Sequence, residues 1–136
     1  MQHYQYQPLL HDDEIRVLVL WPSKDLSDKA EIQCTLEHVR LSELPKYEAV
    51  SYAWGDGSKL RRVICNRKSI SITESLFALL LDVRDISRPR RIWADAICIN
   101  QDSTKGNAEK NAQVQMMGRI YSAAEQTIVW LGDDHD

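Results

Sequence analysis

The sequence predicts a mixed α/β domain built on one sheet, and three observations predict it. Strand-like and helix-like hydrophobic periods alternate through the second half of the 136-residue chain. Two nearly uninterrupted apolar runs, at 91–99 and 127–131, have the pattern of strands covered on both faces of a parallel sheet. A helical pattern lies between them, and strand–helix–strand links in one sheet are almost always parallel crossovers. We therefore expect a mixed, largely parallel sheet with an N-terminal antiparallel ribbon and a hairpin insertion.

The N-terminal part of the chain predicts an arm followed by two strands. Residues 1–14 contain a proline and no sustained periodicity, which predicts a flexible arm. Apolar side chains then recur at every second position over 15–21, and a proline stops the pattern. Residues 32–36 alternate apolar and polar side chains, as a strand with one solvent-exposed face does. We expect these two strands to pair as an antiparallel ribbon.

The middle of the chain predicts a third strand and a hairpin. The segment YEAVSYAW at 47–54 is rich in aromatic and β-branched residues and runs into the turn signal GDGS at 55–58. Two further strand-like segments, 60–65 and 69–72, flank Asn66-Arg67-Lys68. This spacing predicts a hairpin, although its turn lacks the glycine that such turns favour.

Two helices are predicted from the 3.6-residue period. Thr73 is placed as the N-cap of the first, which is expected to run to about Asp85, and Asn107 as the N-cap of the second. A polar loop at 100–107 precedes the second helix. The apolar positions that define the helices are Leu76, Leu79, Leu80 and Val83 in the first, and Val114, Met117, Ile120, Tyr121 and Ala124 in the second.

Composition and charge narrow the classes of function. The chain carries 17 Lys and Arg against 20 Asp and Glu, a net charge of -3, so it lacks the overall basic field that drives nucleic-acid binding. Its longest apolar run, 76–81, is far shorter than the roughly 18 residues of a membrane-spanning helix, and no signal peptide begins the chain. The three cysteines form no CxxC pair, so we expect reduced thiols and no metal site. These features predict one cytoplasmic domain over 15–136 without a cofactor.

Polar and acidic residues follow three of the predicted strands. Ligands of open parallel sheets bind beyond the carboxyl ends of the strands, so these residues are expected to share one edge. The second helix would begin at the same edge and bring Glu109 and Gln113 to it on one helical face. The strand-end residues are Tyr52, Trp54, Gly55 and Asp56 after the first strand, Asn100, Gln101 and Asp102 after the second, and Gly132, Asp133 and Asp134 after the third.

Two carboxylates at this predicted edge each allow two interpretations. Asp95 is placed inside a predicted strand, where a buried carboxylate must be hydrogen-bonded, paired or protonated. It therefore either anchors a neighbouring loop or serves a site. Glu109 either complements the dipole of its helix or, in a partly dry cleft beside a sugar, stabilises an oxocarbenium-like transition state. Tyr52 and Trp54 are either core residues at a strand end or a stacking wall for a base.

Four sequence blocks carry a resemblance to a known family. They are YEAVSYAWGD at 47–56, RIWADAICINQD at 91–102, EKNAQVQMMGRIY at 109–121 and VWLG at 129–132. Together they resemble the heterokaryon incompatibility (HET) domain of filamentous fungi, in the family's order and spacing, over roughly 47–133. Ala94 stands where the family pattern has Ile, and Lys110 stands where it has Arg.

The resemblance implies a cytoplasmic module of non-self recognition, in which fusion of genetically different hyphae triggers death of the mixed compartment. HET domains usually adjoin other regions, so the resemblance implies either a chain truncated at its C-terminus or a stand-alone effector domain. It also implies a distant similarity to TIR domains, which form flavodoxin-like sheets and act through self-association. Some TIR domains cleave NAD⁺ with a glutamate borne on a helix.

Two functional hypotheses follow. The first is a signalling or effector module that associates with copies of itself or a protein partner and needs no catalytic residue. The second is an NAD(P)⁺ glycohydrolase, with NAD⁺ as substrate, Glu109 and Asp95 as catalytic acids and Tyr52 or Trp54 stacking on the substrate. The second hypothesis requires the side chains of residues 54, 95 and 109 to share one pocket.

Overall fold

The computed structural model describes residues 1–25, 27, 31–102 and 107–132. In chain order its strands are β1 (Glu14–Leu20), β2 (Gln33–Arg40), β3 (Glu48–Tyr52), β4 (Leu60–Cys65), β5 (Lys68–Thr73), β6 (Arg90–Trp93) and β7 (Gln126–Trp130). Its helices are α1 (Glu74–Val83), α2 (Asp95–Cys98), α3 (Ala108–Gln115) and α4 (Met117–Ala123), with a 3-10 turn at Leu41–Glu43. None of the helices in these ranges is long and apolar enough to span a membrane.

The described strands form one mixed sheet in the order β5-β4-β2-β1-β6-β3-β7, which confirms the α/β class. Three strand pairs are parallel, namely β2–β4, β3–β6 and β3–β7. The pairs β1–β2, β1–β6 and β4–β5 are antiparallel. The sheet is therefore evenly mixed, and a largely parallel, flavodoxin- or TIR-like arrangement is not confirmed.

The N-terminal ribbon is confirmed, but its first strand is buried on both faces. β1 and β2 pair antiparallel from Glu14 opposite Arg40 to Leu20 opposite Cys34. Every residue of β1 is buried, including Arg16. β1 lies between β2 and β6, and the arm, α2 and α3 cover the face that carries Arg16.

The predicted hairpin is confirmed as β4 and β5. Asn66 and Arg67 form its turn with φ of 51° and 66°, both in the left-handed region. Two left-handed residues in a two-residue loop are the mark of a type I′ turn, which matches the twist of the flanking strands. Asparagine adopts this conformation more readily than most residues, so the turn forms without glycine.

The first helix has the predicted cap, whereas the second is divided. Thr73 Oγ1 accepts a hydrogen bond from the Leu76 backbone N–H at 3.2 Å, and α1 ends at Val83, two residues earlier than expected. The second helix breaks at Met116 into α3 and α4. Because the break shifts the helical phase, Val114 is exposed and Gln113 is the buried residue of α3, so the predicted apolar stripe is wrong there.

The prediction of a strand over 91–99 is wrong beyond Trp93. The backbone N–H groups of Ile97 and Cys98 bond to the Ala94 carbonyl at 3.2 and 2.8 Å, which closes the helical turn α2. A short apolar run fits a buried helical turn as well as a buried strand, and periodicity alone does not separate them. Asp95 therefore begins a helix, and the alternation that placed it inside a strand does not exist.

The two edges of the sheet differ. Tyr4 N–H donates to the Ser69 carbonyl at 2.9 Å, so the arm covers β5 at one edge. At the other edge β7 pairs with β3 alone among the described strands, and Val129 and Leu131 are 65% and 92% exposed. The prediction that β7 is buried on both faces is therefore wrong, while the flexibility of residues 1–14 remains a prediction.

Candidate functional site

Parallel strands bring their carboxyl ends to one edge, as the site prediction assumed. β3 lies between β6 and β7 and is parallel to both. β6 ends at Trp93, however, so Asp95 follows this strand directly and Asn100 follows α2 instead. The acids Asp133 and Asp134, predicted to follow β7, lie outside the described residues.

Trp54 and Asp95 are in direct contact at this edge. Trp54 Nε1 donates to Asp95 Oδ1 at 3.2 Å, and the indole is 43% exposed. Gln101 Nε2 donates to the Asp95 backbone carbonyl at 3.0 Å. These contacts hold the start of α2 against the loop that follows β3, and they leave the Trp54 side chain partly exposed beside a carboxylate.

Tyr52 lies close to this pair. Its hydroxyl is buried and has no hydrogen-bond partner among the described residues. Burial raises the pKa of Tyr52, and the Asp95 carboxylate raises it further. Tyr52 therefore stays protonated at neutral pH and presents a neutral hydroxyl near Asp95.

Gly55 and Asp56 lie toward α1. Gly55 has a φ of +71°, and a Cβ at this position would lie 2.5 Å from Ser75 Oγ, so the loop meets α1 only because a glycine is present. Gly55 and Tyr52 line a cavity of about 410 Å³. Asp56 lines an adjoining one of about 340 Å³, and hydrogen bonds from Ser58 lower its pKa.

Asn100 and Asn107 organise the loop before α3. Asn107 Nδ2 donates to the Asn100 carbonyl at 2.6 Å, and the Asn100 side chain accepts from the Asp102 N–H at 3.0 Å. Asn107 Oδ1 accepts from the Lys110 N–H at 2.7 Å, which confirms Asn107 as the N-cap. The amide of Asn100 therefore holds its own loop.

Glu109 is bound to a buried arginine. Its Oε1 lies 2.7 Å from Arg16 Nη2, and its Oε2 accepts from the Leu9 backbone N–H at 3.2 Å. The Arg16 side chain is 0% exposed and that of Glu109 is 25% exposed. Arg16 also donates to the Gln7 carbonyl at 2.8 Å and to the Cys98 carbonyl at 3.4 Å. One cation thus joins the arm, α2 and α3.

Gln113 lies next to Glu109 on α3 and is buried. Its Nε2 donates to the Glu14 backbone carbonyl at 2.9 Å. Gln113 and Glu109 line a cavity of about 590 Å³ together with arm residues. Trp54 and Asp95 do not line this cavity. The roles assigned to all of these residues remain predictions.

Arg16 was not predicted from the sequence as a site residue, although it is the buried cation that pairs with Glu109. The observation that could have found it is a charged residue inside the otherwise aliphatic strand EIRVLVL. The alternation of apolar residues in this strand predicts that Arg16 lies on a solvent-exposed face. The arm, α2 and α3 cover this face of β1, so the Arg16 charge is paired inside the protein. Within the described ranges, no group of three or more His, Cys, Asp or Glu side chains is placed to hold a metal ion.

Comparison with known proteins identifies the family. The family model described as "Heterokaryon incompatibility protein (HET)" matches residues 47–136. The chain belongs to this family. It is similar to heterokaryon incompatibility protein 6, OR allele, of Neurospora crassa, with 35% identity over 131 residues that cover 87% of this chain and 18% of the relative. The HET chain thus spans less than a fifth of that relative, and no solved structure matches it. The predicted HET membership is confirmed, and the similarity to TIR domains is not.

Proposed function

We propose that this HET chain acts in fungal heterokaryon incompatibility as a signalling module that triggers cell death by associating with copies of itself or a protein partner. The name of the Neurospora crassa relative supports the biological role. The observation that carries the mode of action is the pairing of Glu109 with Arg16 at 2.7 Å. It favours a structural role for the residue that the enzyme hypothesis needs most.

A carboxylate that stabilises positive charge on a ribose must be free to face that charge in the transition state. Both oxygens of Glu109 are already engaged, one by the Arg16 guanidinium and one by the Leu9 N–H. The adjacent cation also cancels much of the negative field that would stabilise an oxocarbenium ion. These contacts support association over glycoside chemistry.

The β7 edge supports association. Residues 126–131 carry no charge, and Val129 and Leu131 are exposed. Exposed edge strands without charges or prolines readily accept another strand, whereas the arm covers the opposite edge at β5. We assign the association surface to β7.

Val129→Lys tests this assignment. The wild-type chain is expected to form dimers or larger assemblies in light scattering, and Val129→Lys to be monomeric, because a lysine on the edge opposes strand addition. Val114→Lys is the matched control, since Val114 is an exposed valine on α3, and it should assemble like the wild type. A wild-type chain that stays monomeric at high concentration and still kills fungal cells on expression would contradict the proposal.

The alternative function is an NAD(P)⁺ glycohydrolase. The observation that favours it is the exposed Trp54 ring beside Asp95 at the carboxyl ends of parallel strands. Nicotinamide release from NAD⁺ separates the two functions, and we expect none from the wild type, even when it is fused to an oligomerising domain. Release that is lost in Glu109→Gln and Asp95→Asn, but kept in the exposed control Glu43→Gln, would establish the enzyme instead.

A further inference from the structure

The cavity between the arm and α3 is a candidate binding site. Its volume is about 590 Å³, and the arm forms one wall and α3 the other. The lining includes Leu9 and Asp12 from the arm, and Glu109, Ala112, Gln113 and Met116 from α3 and its C-terminal end.

Gln113 supplies an unused hydrogen-bond acceptor at this cavity. Gln113 is only 2% exposed, and its Nε2 donates to the Glu14 backbone carbonyl. With the amide oriented in this way, Oε1 is left without a partner among the described residues. A buried acceptor without a donor costs free energy, which a ligand that brings an N–H donor would recover.

The charge around the cavity is negative. Asp12, Glu109 and the imidazole of His11 line it, no Lys or Arg is among its lining residues, and the carboxylate of the adjacent Glu14 accepts from the Leu10 N–H. Arg16 compensates one of these three carboxylates by its ion pair with Glu109. The excess of acceptors selects a cation with N–H donors, which a carboxylate and an amide oxygen bind together.

The apolar part of the lining suits an aliphatic stem. Leu9, Ala112 and Met116 supply hydrocarbon surface beside the acceptors. Arginine and lysine side chains combine such a stem with a cationic head, and they bury the stem while the head keeps polar partners. We propose that this cavity binds an arginine or lysine side chain presented by a partner protein. This inference does not depend on assembly through β7.

A matched pair of peptides tests the site on the whole chain. Acetyl-Gly-Arg-Gly-amide is titrated into ¹⁵N-labelled protein at low salt, beside the same peptide with citrulline, which has the shape of arginine without its charge. We expect saturable shifts of the Leu9, Ala112, Gln113 and Met116 amide signals, with affinity for the citrulline peptide about tenfold weaker. Equal binding of both peptides, or no shifts at these residues, would overturn the proposal.

Variants and a free amine sharpen the result. Gln113→Leu removes the acceptor, and Asp12→Asn lowers the charge without touching a buried group, so the second variant remains informative if the first unfolds. Both should weaken arginine-peptide binding several-fold, whereas Glu74→Gln, an exposed carboxylate outside this cavity, should not. Tighter binding of spermidine than of the peptide would assign the site to a free amine and overturn the assignment to a partner protein.

Discussion

Asp95 and Glu109, the two predicted catalytic acids, lie in different settings. Asp95 begins the short helix α2, is partly exposed and accepts one hydrogen bond from an exposed tryptophan. Glu109 lies in the first turn of α3 and is fixed by a fully buried arginine. Both residues belong to the blocks that resemble the HET family, yet a buried cation holds Glu109 whereas Asp95 stays partly accessible. The partner of a carboxylate, rather than its motif, therefore indicates its role.

Among the variants that test this comparison, Arg16→Met should lower the free energy of unfolding most. It leaves the Gln7 and Cys98 carbonyls without their shared donor and the Glu109 carboxylate without its counter-charge. Breaking a buried pair in this way lowers the free energy of unfolding by about 3 kcal/mol or more. Denaturant unfolding measures the loss, and Arg40→Met, which removes an ion pair of a more exposed arginine, should lose much less. Equal losses in the two variants would show that burial of Arg16 does not matter.

Removing the charge of Glu109 or of Asp95 by an amide substitution should have the next largest effect on the free energy of unfolding. Glu109→Gln leaves buried Arg16 uncompensated and should cost about 2 kcal/mol of unfolding free energy. Asp95→Asn keeps an oxygen that accepts from Trp54, so it should cost less than about 0.5 kcal/mol. The same unfolding experiment reports both values, and a larger loss in Asp95→Asn would reverse the comparison.

The smallest predicted effect is on the pH dependence of the unfolding free energy, and it comes from His38, whose pKa Arg16 influences. Burial lowers the pKa of His38, and Arg16 lowers it further, while Glu14 and Glu109 oppose the shift. Because the folded-state pKa lies below the unfolded value of about 6.5, protons bind the unfolded chain preferentially. His38 therefore contributes stability above that pH, and the contribution is lost as the pH falls below it.

The substitution His38→Gln should reduce the fall in unfolding free energy between about pH 7.5 and pH 5.5. Unfolding curves at the two pH values measure this difference. An unchanged or steeper fall in the variant would show that the folded state does not disfavour protonated His38.

Local patterns predicted the parts of the fold that depend on near neighbours. The caps at Thr73 and Asn107 each bond to a group three residues ahead, and the hairpin depends on its own turn, so all three follow from short segments. Arg16 bonds to a carbonyl 82 residues away, and no local pattern contains that information.

The errors at α2 and β7 have the same origin. The apolar run at 91–99 satisfies a strand or a helical turn until the surrounding layers select one. β7 looks like an interior strand until its place at the edge of the sheet is known. At the candidate site, a shared edge for the ends of parallel strands was inferred from topology. The pairing of Glu109 on α3 with Arg16 on β1 joins residues far apart in sequence, which no rule about strand ends predicts.

The central position of β1 in the sheet also limits where a shortened recombinant form of this protein can begin. The family match starts at residue 47, whereas β6 draws its antiparallel hydrogen bonds from residues 18–20. A recombinant fragment of residues 47–136 would lack β1, the antiparallel neighbour of β6. We expect this loss to expose the apolar side chains of Ile92 and Trp93, which are buried in the whole chain. We expect expression of such a fragment to yield insoluble material, because it lacks β1 and β2 of the sheet.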